Sequence, residues 1–180
     1  IAALRAIGRE LADLSQIDSV YRALHHLAPR IIVNAAAYTA VDRAESEPHQ
    51  AQMINADAVG VMADYAKKSG ALLVHYSTDY VFDGAAHTPY TEQHAPNPQN
   101  TYGKSKLAGE QRIIDSGCDH LIFRTSWVFA GHSNNFLRTM MRLAMEREQL
   151  TVVDDQIGAP TSAALIADIT ALAIWAYQRG

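Results

Sequence analysis

The sequence holds one cysteine in 180 residues, Cys118, so no internal disulfide framework can staple it. The residues around that thiol, "SGCDH", read as a turn. An excess of basic charge is missing as well. Fifteen Lys and Arg stand against 19 Asp and Glu, a net charge of −4, which removes the electrostatic footprint of a nucleic-acid or anionic-membrane surface. No apolar run is long enough to span a bilayer, and "SAALIADITALAIWAY" is interrupted by Asp168. No basic-then-apolar leader opens the chain. The eight histidines show no ligand spacing; His25 and His26 are adjacent and face different ways on a helix, so no zinc site is read there. The acid pair Asp154 and Asp155 reads as a loop rather than a metal pair. The expectation is a soluble cytoplasmic protein with no nucleic-acid and no membrane partner.

What is present is an ordinary globular composition, 48% hydrophobic and 19% charged, at a length that suits one domain over 1–180. The chain opens at Ile1 rather than Met and its first residues read as mid-domain, which predicts a segment of a longer protein. Elements alternate. "IAAL" reads as a short strand. Ser15 to Leu27 reads as a helix, with "SQID" a capping box at its start and Pro29 behind it. "RIIVNAAA" is a continuous apolar run, the pattern of a strand buried on both faces. A helix runs from about Pro48 to Ser69, stopped by Gly70, and "ALLVHYS" is the next buried strand. Residues 81–100 look irregular. Then come a helix carrying "YGKSKLAGEQRII", a strand "HLIFRTSWVF", a helix "NNFLRTMMRLAMER", a strand "LTVV" and a last helix "SAALIADITALAIWAYQ". Strands alternating with helices predict an α/β fold with a doubly wound parallel sheet and right-handed crossovers.

The chemistry gathers where one of these strands ends. "ALLVH" runs into "YSTDYVFDG", a polar cluster where open α/β sheets place ligands. Tyr102 and Lys106, in "YGKSK", stand one helical turn apart and share a face. A phenol is a poor proton donor or acceptor at neutral pH, and a nearby ammonium stabilises its phenolate. Ser77 and Thr78 offer hydroxyls to a substrate oxygen beside that phenol. Hydroxyl, phenol and ammonium converging on one carbonyl suit hydride transfer, in which a developing oxyanion must be protonated. A Tyr-x-x-x-Lys pair alone is a weak signal; its strand–loop–helix setting strengthens it.

"VNAAAYTAVDRAE", "HYSTDYVFDG", "YGKSKLAGE", "FRTSWVFAG" and "DDQIGAPT", in this order, resemble the extended short-chain dehydrogenase/reductases. Within that group they are most similar to the dTDP-4-dehydrorhamnose reductases. The resemblance implies a Rossmann-like domain that uses NADPH or NADH to reduce dTDP-4-dehydro-L-rhamnose to dTDP-L-rhamnose. It implies that Tyr102 donates the proton, that Lys106 holds the nicotinamide ribose and favours the phenolate, and that Thr78 hydrogen-bonds the reacting oxygen. Asp79 would hold the sugar and Trp127 would line its site. Ala35, Ala36, Ala37, Tyr38 and Thr39 would pass under the cofactor, and Asp13 and Leu14 would meet its adenine side. Magnesium enters through the resemblance alone, with no motif to place it, and a homodimer is an assembly open to the group.

Each residue also has a plainer reading. Ala35 to Ala37 could serve helix–sheet packing, Trp127 the core, Asp13 a turn, and Asp79 the cap of a loop. The sequence also departs from the family pattern. No G-x-x-G-x-x-G precedes "IAAL", so the first βα unit, which holds the cofactor pyrophosphate, is expected to lie outside this chain. The segments that complete the sugar-nucleotide pocket are expected to lie outside it too, so the chain by itself could be inactive. Arg5, where an NAD-binding acid often stands, leans the cofactor choice toward NADPH. Two alternatives stay open. One is another sugar-nucleotide member, an epimerase or dehydratase, although dehydratases typically carry a glutamate where Tyr80 follows Asp79. The other is the non-catalytic regulatory subunit of methionine adenosyltransferase, which typically carries Ser-Ser-Asp-Tyr rather than Ser77-Thr78-Asp79-Tyr80.

Overall fold

A computed structural model of the chain describes residues 4–132 and 135–180. They form two compact units, Ile1–Arg124 and Thr125–Gly180. The strand read over "IAAL" falls largely on residues outside the described ones; Leu4 and Arg5 have irregular backbone and are exposed.

In the first unit, helix α1 spans Ile17–Leu27 and strand β1 spans Ile31–Asn34. The expected capping box at α1 does not form. Asp18 is one methylene shorter than the glutamate such a box uses, and the Ser15 hydroxyl instead donates to Asp13 Oδ1 at 2.7 Å. Ala28, in the left-handed region at φ 44°, ends the helix ahead of Pro29. Strand β2 spans Leu72–Thr78 and pairs with β1 in parallel, Ile31 opposite Leu72 through Asn34 opposite His75. Strand β3, His120–Thr125, lies on the other side of β2, giving the order β1-β2-β3. β2 is buried along nearly its whole length, as its apolar run predicts. β1 is not, because Val33 is 42% exposed and only the face of Ile32 and Asn34 is covered.

That covered face holds the core. Ile32 and Leu73 meet Val20 and Leu24 of α1, the alanine-rich row Ala58, Val59, Met62, Ala63 and Ala66 of helix α4 (Ala58–Ser69), and Ile113 of helix α5 (Thr101–Ser116). Small side chains on α4 let the helices lie close to the sheet. Upstream of α4 come two short helices, α2 (Val41–Ala44) and α3 (Pro48–Gln52).

The single helix expected from Pro48 to Ser69 is interrupted by a π-helical turn over Met53–Asp57. Asn55 explains the widening. Its side chain accepts from the Tyr38 N–H at 2.9 Å and donates to the Tyr38 carbonyl and the Ser105 hydroxyl, each at 3.0 Å. A π-turn of this kind marks functional segments more often than regular helix does. α5 crosses it so closely that a Cβ on Gly109 would overlap the Asn55 carbonyl oxygen. Helix propensity alone favours Ala over Gly by about 1 kcal/mol. Overlap with a backbone atom costs roughly 1–3 kcal/mol and has no flexible partner to relieve it. Gly109→Ala is therefore expected to destabilise the protein, by up to about 2 kcal/mol net, in a denaturant melt.

In the second unit, strand β4 (Val128–Phe129) pairs in parallel with β5 (Thr161–Ser162). The strand expected to run unbroken through "HLIFRTSWVF" stops at Thr125 and resumes at Val128, because Trp127 sits at φ 44° and turns the backbone. Helix α6 spans Phe136–Glu146, capped by Asn135 accepting from the Arg138 N–H at 3.0 Å; residues 133 and 134, at the head of the run read as helical, lie outside the described ones. "LTVV" is not a strand. Its valines are exposed and, among the described residues, no neighbouring strand pairs with it, and β propensity needs such a surface to act on. Helix α7, Ala163–Tyr177, is capped by Ser162 accepting from the Leu165 N–H at 3.1 Å.

Candidate active site

β2 ends in Ser77 and Thr78, 3% and 5% exposed, and the chain then turns through a short 3-10 segment at Asp79–Val81. The Thr78 side chain shapes the turn. Its hydroxyl accepts from the Tyr80 N–H at 3.2 Å and donates to Asp79 Oδ1 at 3.1 Å. Next to this turn lies the start of α5. Asn100 caps the helix by accepting from the Gly103 N–H at 2.7 Å, and Glu45 receives both the N–H and the hydroxyl of Thr101, at 2.7 and 2.8 Å. The approach is close enough that a Cβ on Gly103 would overlap the Tyr80 carbonyl oxygen. Gly103 therefore sets Tyr102 against the strand end.

Tyr102 is 9% exposed, packed with Ala44, Ala51, Tyr38 and Val41, and meets Tyr80 edge-on with ring centroids 5.7 Å apart. Its phenol hydrogen-bonds Thr78. Burial holds the phenol above its ordinary pKa, with the charge of Asp79 adding to the rise and the Thr78 bond opposing it. The fold thus brings Thr78, Asp79 and Tyr102 together at the carboxyl end of β2.

One turn further along α5, Lys106 is 2% exposed. Its ammonium nitrogen lies 2.6 Å from the Tyr76 carbonyl and 3.2 Å from His75 Nε2. Burial pulls its pKa down to about 8, partly countered by Glu110. Glu110 is also buried, and Arg124 of β3 holds its carboxylate with two parallel bonds at 3.0 and 2.6 Å. His75 is 1% exposed and receives the Asn34 side-chain amide at Nδ1, 3.1 Å away. Burial first, and the Lys106 charge second, push the His75 pKa down to about 3.

The His75 shift has a stability consequence. The folded state keeps this imidazole neutral while an unfolded histidine takes up a proton below about pH 6.5. Folding is therefore fully supported above pH 6.5 and loses support as pH falls toward 3. About 2 kcal/mol is expected to be lost between pH 6.5 and 4.5. Chemical melts across that window should show the loss, and His75→Gln should flatten it.

The other expected residues lie elsewhere along the sheet end. Ala35 and Ala36 are exposed just past β1, Ala37 and Tyr38 are half-buried, and Thr39 is exposed. Tyr38 donates its hydroxyl to Glu47 at 2.7 Å. Asp13 and Leu14 are half-buried; Leu14 leans on the core, and the Asp13 carboxylate takes both the N–H and the hydroxyl of Ser15. Trp127 belongs to the second unit. It is 46% exposed, and its indole lies over Gly158, where a Cβ would come within 2.5 Å of the ring. Its backbone carbonyl accepts from the Thr161 N–H at 3.3 Å. Among the described residues no three His, Cys, Asp or Glu side chains converge as a metal site, and no helix is long and apolar enough to cross a membrane.

Sequence reasoning missed Asn34, Asn55, His75, Glu110 and Arg124. A signal existed for three of them: Asn34 and His75 are lone polar residues inside apolar strands, and Asn55 is one inside an apolar helical run. Polar groups in such places must find partners. Nothing local marked Glu110, one more charge on a helix rich in them.

The family model described as "RmlD substrate binding domain" matches residues 2–179. The chain is 56% identical over 162 residues to a dTDP-4-dehydrorhamnose reductase of Salmonella typhimurium, covering 90% of this chain and 54% of that protein. It is 52% identical over 173 residues to one from Burkholderia thailandensis, covering 96% and 58%. The crystal structure of dTDP-4-dehydrorhamnose reductase from Bacillus anthracis in complex with NADP superposes with a TM-score of 0.87 at 44% identity, over 92% of this chain and 59% of that one. The architecture is that of a Rossmann-like parallel-sheet α/β protein. The chain spans about half the length of the curated relatives it matches.

Proposed function

Since this chain belongs to the family described as RmlD substrate binding domain, we propose that the protein carrying it reduces dTDP-4-dehydro-L-rhamnose to dTDP-L-rhamnose with NADPH or NADH. The observation that carries this reading is the meeting of Thr78 and Tyr102 at the carboxyl end of β2, with Lys106 one helical turn on and bonded to the Tyr76 carbonyl of the same strand, within a chain more than half identical to such reductases. The NADP complex of the B. anthracis relative supports the cofactor class. Arg5, with no acid in its place, tips the choice toward NADPH. The family model runs across both units, which supports reading 1–180 as parts of one cofactor-binding and catalytic domain. A cytoplasmic location belongs to the same proposal.

When bound, the nicotinamide supplies the hydride that reaches C4 of the sugar. Thr78 and Tyr102 hold the carbonyl oxygen there, and Tyr102 gives it a proton as its negative charge develops. The raised pKa of the free phenol suits a group that must arrive protonated. Lys106 stabilises the phenolate that remains. An ammonium has three N–H groups; one is directed at the Tyr76 carbonyl, and a ribose hydroxyl is the partner we assign to another. Ala35 and Ala36 are exposed and carry only methyl side chains, so a flat ligand can approach them closely; half-buried Ala37 and Tyr38 and exposed Thr39 complete the stretch assigned to the cofactor. This accessibility is what makes the residues fit the cofactor. Asp13 and Leu14 are assigned to its adenine side, Asp79 and Trp127 to the sugar.

The reading is tested by mixing the full-length protein with NADPH and dTDP-4-dehydro-L-rhamnose and following cofactor absorbance. Stoichiometric loss with formation of dTDP-L-rhamnose is expected, with NADH used less well. Turnover of a different sugar nucleotide points to an epimerase or dehydratase. Silence toward all of them, with co-purification of a methionine adenosyltransferase, points to the regulatory subunit.

A further inference from the structure

Behind Lys106 lies a row of buried polar groups whose protons cannot all be placed independently. The Ala36 N–H donates to Asn34 Oδ1 at 3.2 Å. That leaves the Asn34 amide nitrogen, a donor only, facing His75 Nδ1 at 3.1 Å. Nδ1 must therefore accept, and a neutral imidazole then carries its proton on Nε2. Nε2 in turn faces Lys106 Nζ at 3.2 Å. An ammonium there would set two donors against each other, whereas a neutral amine would accept from Nε2–H while still donating to the Tyr76 carbonyl at 2.6 Å. All three side chains are 5% exposed or less, so water cannot relieve the conflict cheaply.

We propose that His75 is a positioning residue for Lys106: its imidazole, clamped by Asn34, changes tautomer as Lys106 gains or loses a proton, so that Asn34, His75 and Lys106 titrate as one unit behind Tyr102. The bookkeeping closes on one proton. When Lys106 takes up a proton, Nε2 must accept from the ammonium. The imidazole proton then resides on Nδ1, and the Asn34 amide turns over so that Oδ1 receives it. His75 stays neutral in both states. The cost is the Ala36 N–H bond to Asn34.

The charged and titratable groups seen near the row among the described residues enter the balance. From α5 itself, Tyr102 lies one turn before Lys106 and Glu110 one turn after. The Glu110 charge favours the ammonium, but Arg124 of β3 already holds that carboxylate. From β2 come His75 and the Tyr76 carbonyl, and from β1 only Asn34. Asp79 acts on Tyr102. Geometry and burial agree: Lys106 is brought down to about 8 while His75 is held near 3, so the lysine rather than the histidine changes charge near neutrality. The row therefore sets the pH at which the ammonium is available to the phenolate of Tyr102. The kinetic consequence rests on the reductase reading; the proton exchange itself does not.

The deciding experiment uses the ligand-free full-length protein with ¹⁵N-labelled histidine and two-bond ¹H–¹⁵N correlation spectra from pH 6 to 10. The His75 signals are assigned by their loss in His75→Gln. Expected are a neutral imidazole throughout, an Nε2–H pattern at high pH and an Nδ1–H pattern at low pH, with a midpoint near 8. The change should vanish in Lys106→Met. A single tautomer from pH 6 to 10, or a midpoint that survives Lys106→Met, overturns the proposal. Should that variant fail to fold, the pH profile of kcat/KM decides. A glutamine at position 75 can offer its carbonyl oxygen to the ammonium with no proton shift, so the Lys106 limb should move up by about one pH unit in His75→Gln. A uniform fall in rate with an unmoved limb would mean a merely structural histidine. A protein that folds but does not reduce the sugar defeats the reductase reading alone, since the spectra still decide this one.

Discussion

On the proposed reductase reading, Tyr102→Phe is expected to abolish sugar reduction while leaving the protein folded. The substitution removes one oxygen from a ring that is 9% exposed and held by Ala44, Ala51, Tyr38 and Val41. Nothing in that packing depends on the hydroxyl, so a thermal melt should hardly move. The Thr78 hydroxyl loses one partner but keeps Asp79 and the Tyr80 N–H, which retains the turn. What disappears is the group we assign to protonate the oxygen beside Thr78. A positioned general acid contributes roughly 10²–10⁴-fold, so kcat in the NADPH oxidation assay should fall by at least about a hundredfold. Cofactor affinity, read by quenching or calorimetry, should change little. A variant that keeps more than a tenth of the wild-type rate would remove Tyr102 from the mechanism and send the search to another donor.

The second large effect concerns stability. Arg124→Met is expected to cost about 3 kcal/mol, because it strands the Glu110 carboxylate in the interior. Glu110 is 2% exposed, and Arg124 meets it with two parallel bonds, at 3.0 and 2.6 Å. The same guanidinium lies 5.0 Å above the ring of Phe82, which stacks on Tyr90 at 4.3 Å. Loss of Arg124 therefore loosens the segment after the 3-10 turn as well as α5. At this chain length the melting temperature should drop by roughly 6–12 °C. The pair contributes far less than either half suggests, since taking two charges out of water nearly cancels their attraction. Hence the double variant Arg124→Met, Glu110→Met should recover to within about 1 kcal/mol of the wild type. A double variant as unstable as the single would show that the charge of Glu110 is not what Arg124→Met exposes.

These two residues mark the boundary between what could be read and what could not. Tyr102 and Lys106 were legible because one helical turn separates them and helices have a fixed pitch. Thr78 was legible because an apolar strand ended in hydroxyls. Arg124 lies 14 positions from Glu110, and no local periodicity joins a strand residue to the helix before it. The irregular elements show the same limit. The helix from Pro48 to Ser69 has the right ends, set by a proline at its first position and a glycine in the left-handed region past its last. Its π-turn was invisible, because that widening serves Tyr38 and Ser105, 17 and 50 residues from Asn55. "LTVV" reads as a strand by composition, yet composition does not supply a neighbour.

The sequence by itself determined most of the alternation of strands and helices, the buried β2, the proline and glycine ends of the helical run from Pro48 to Ser69 and the family, all of which rest on patterns within a few residues or on ordered motifs. Tertiary structure alone decided which polar groups meet in the interior. Asn34 and His75 face each other because the β1–β2 register pairs them, and His75 faces Lys106 because α5 packs across that face of the sheet. Whether a buried proton sits on an imidazole or an amine depends on partners that the chain brings together only by folding.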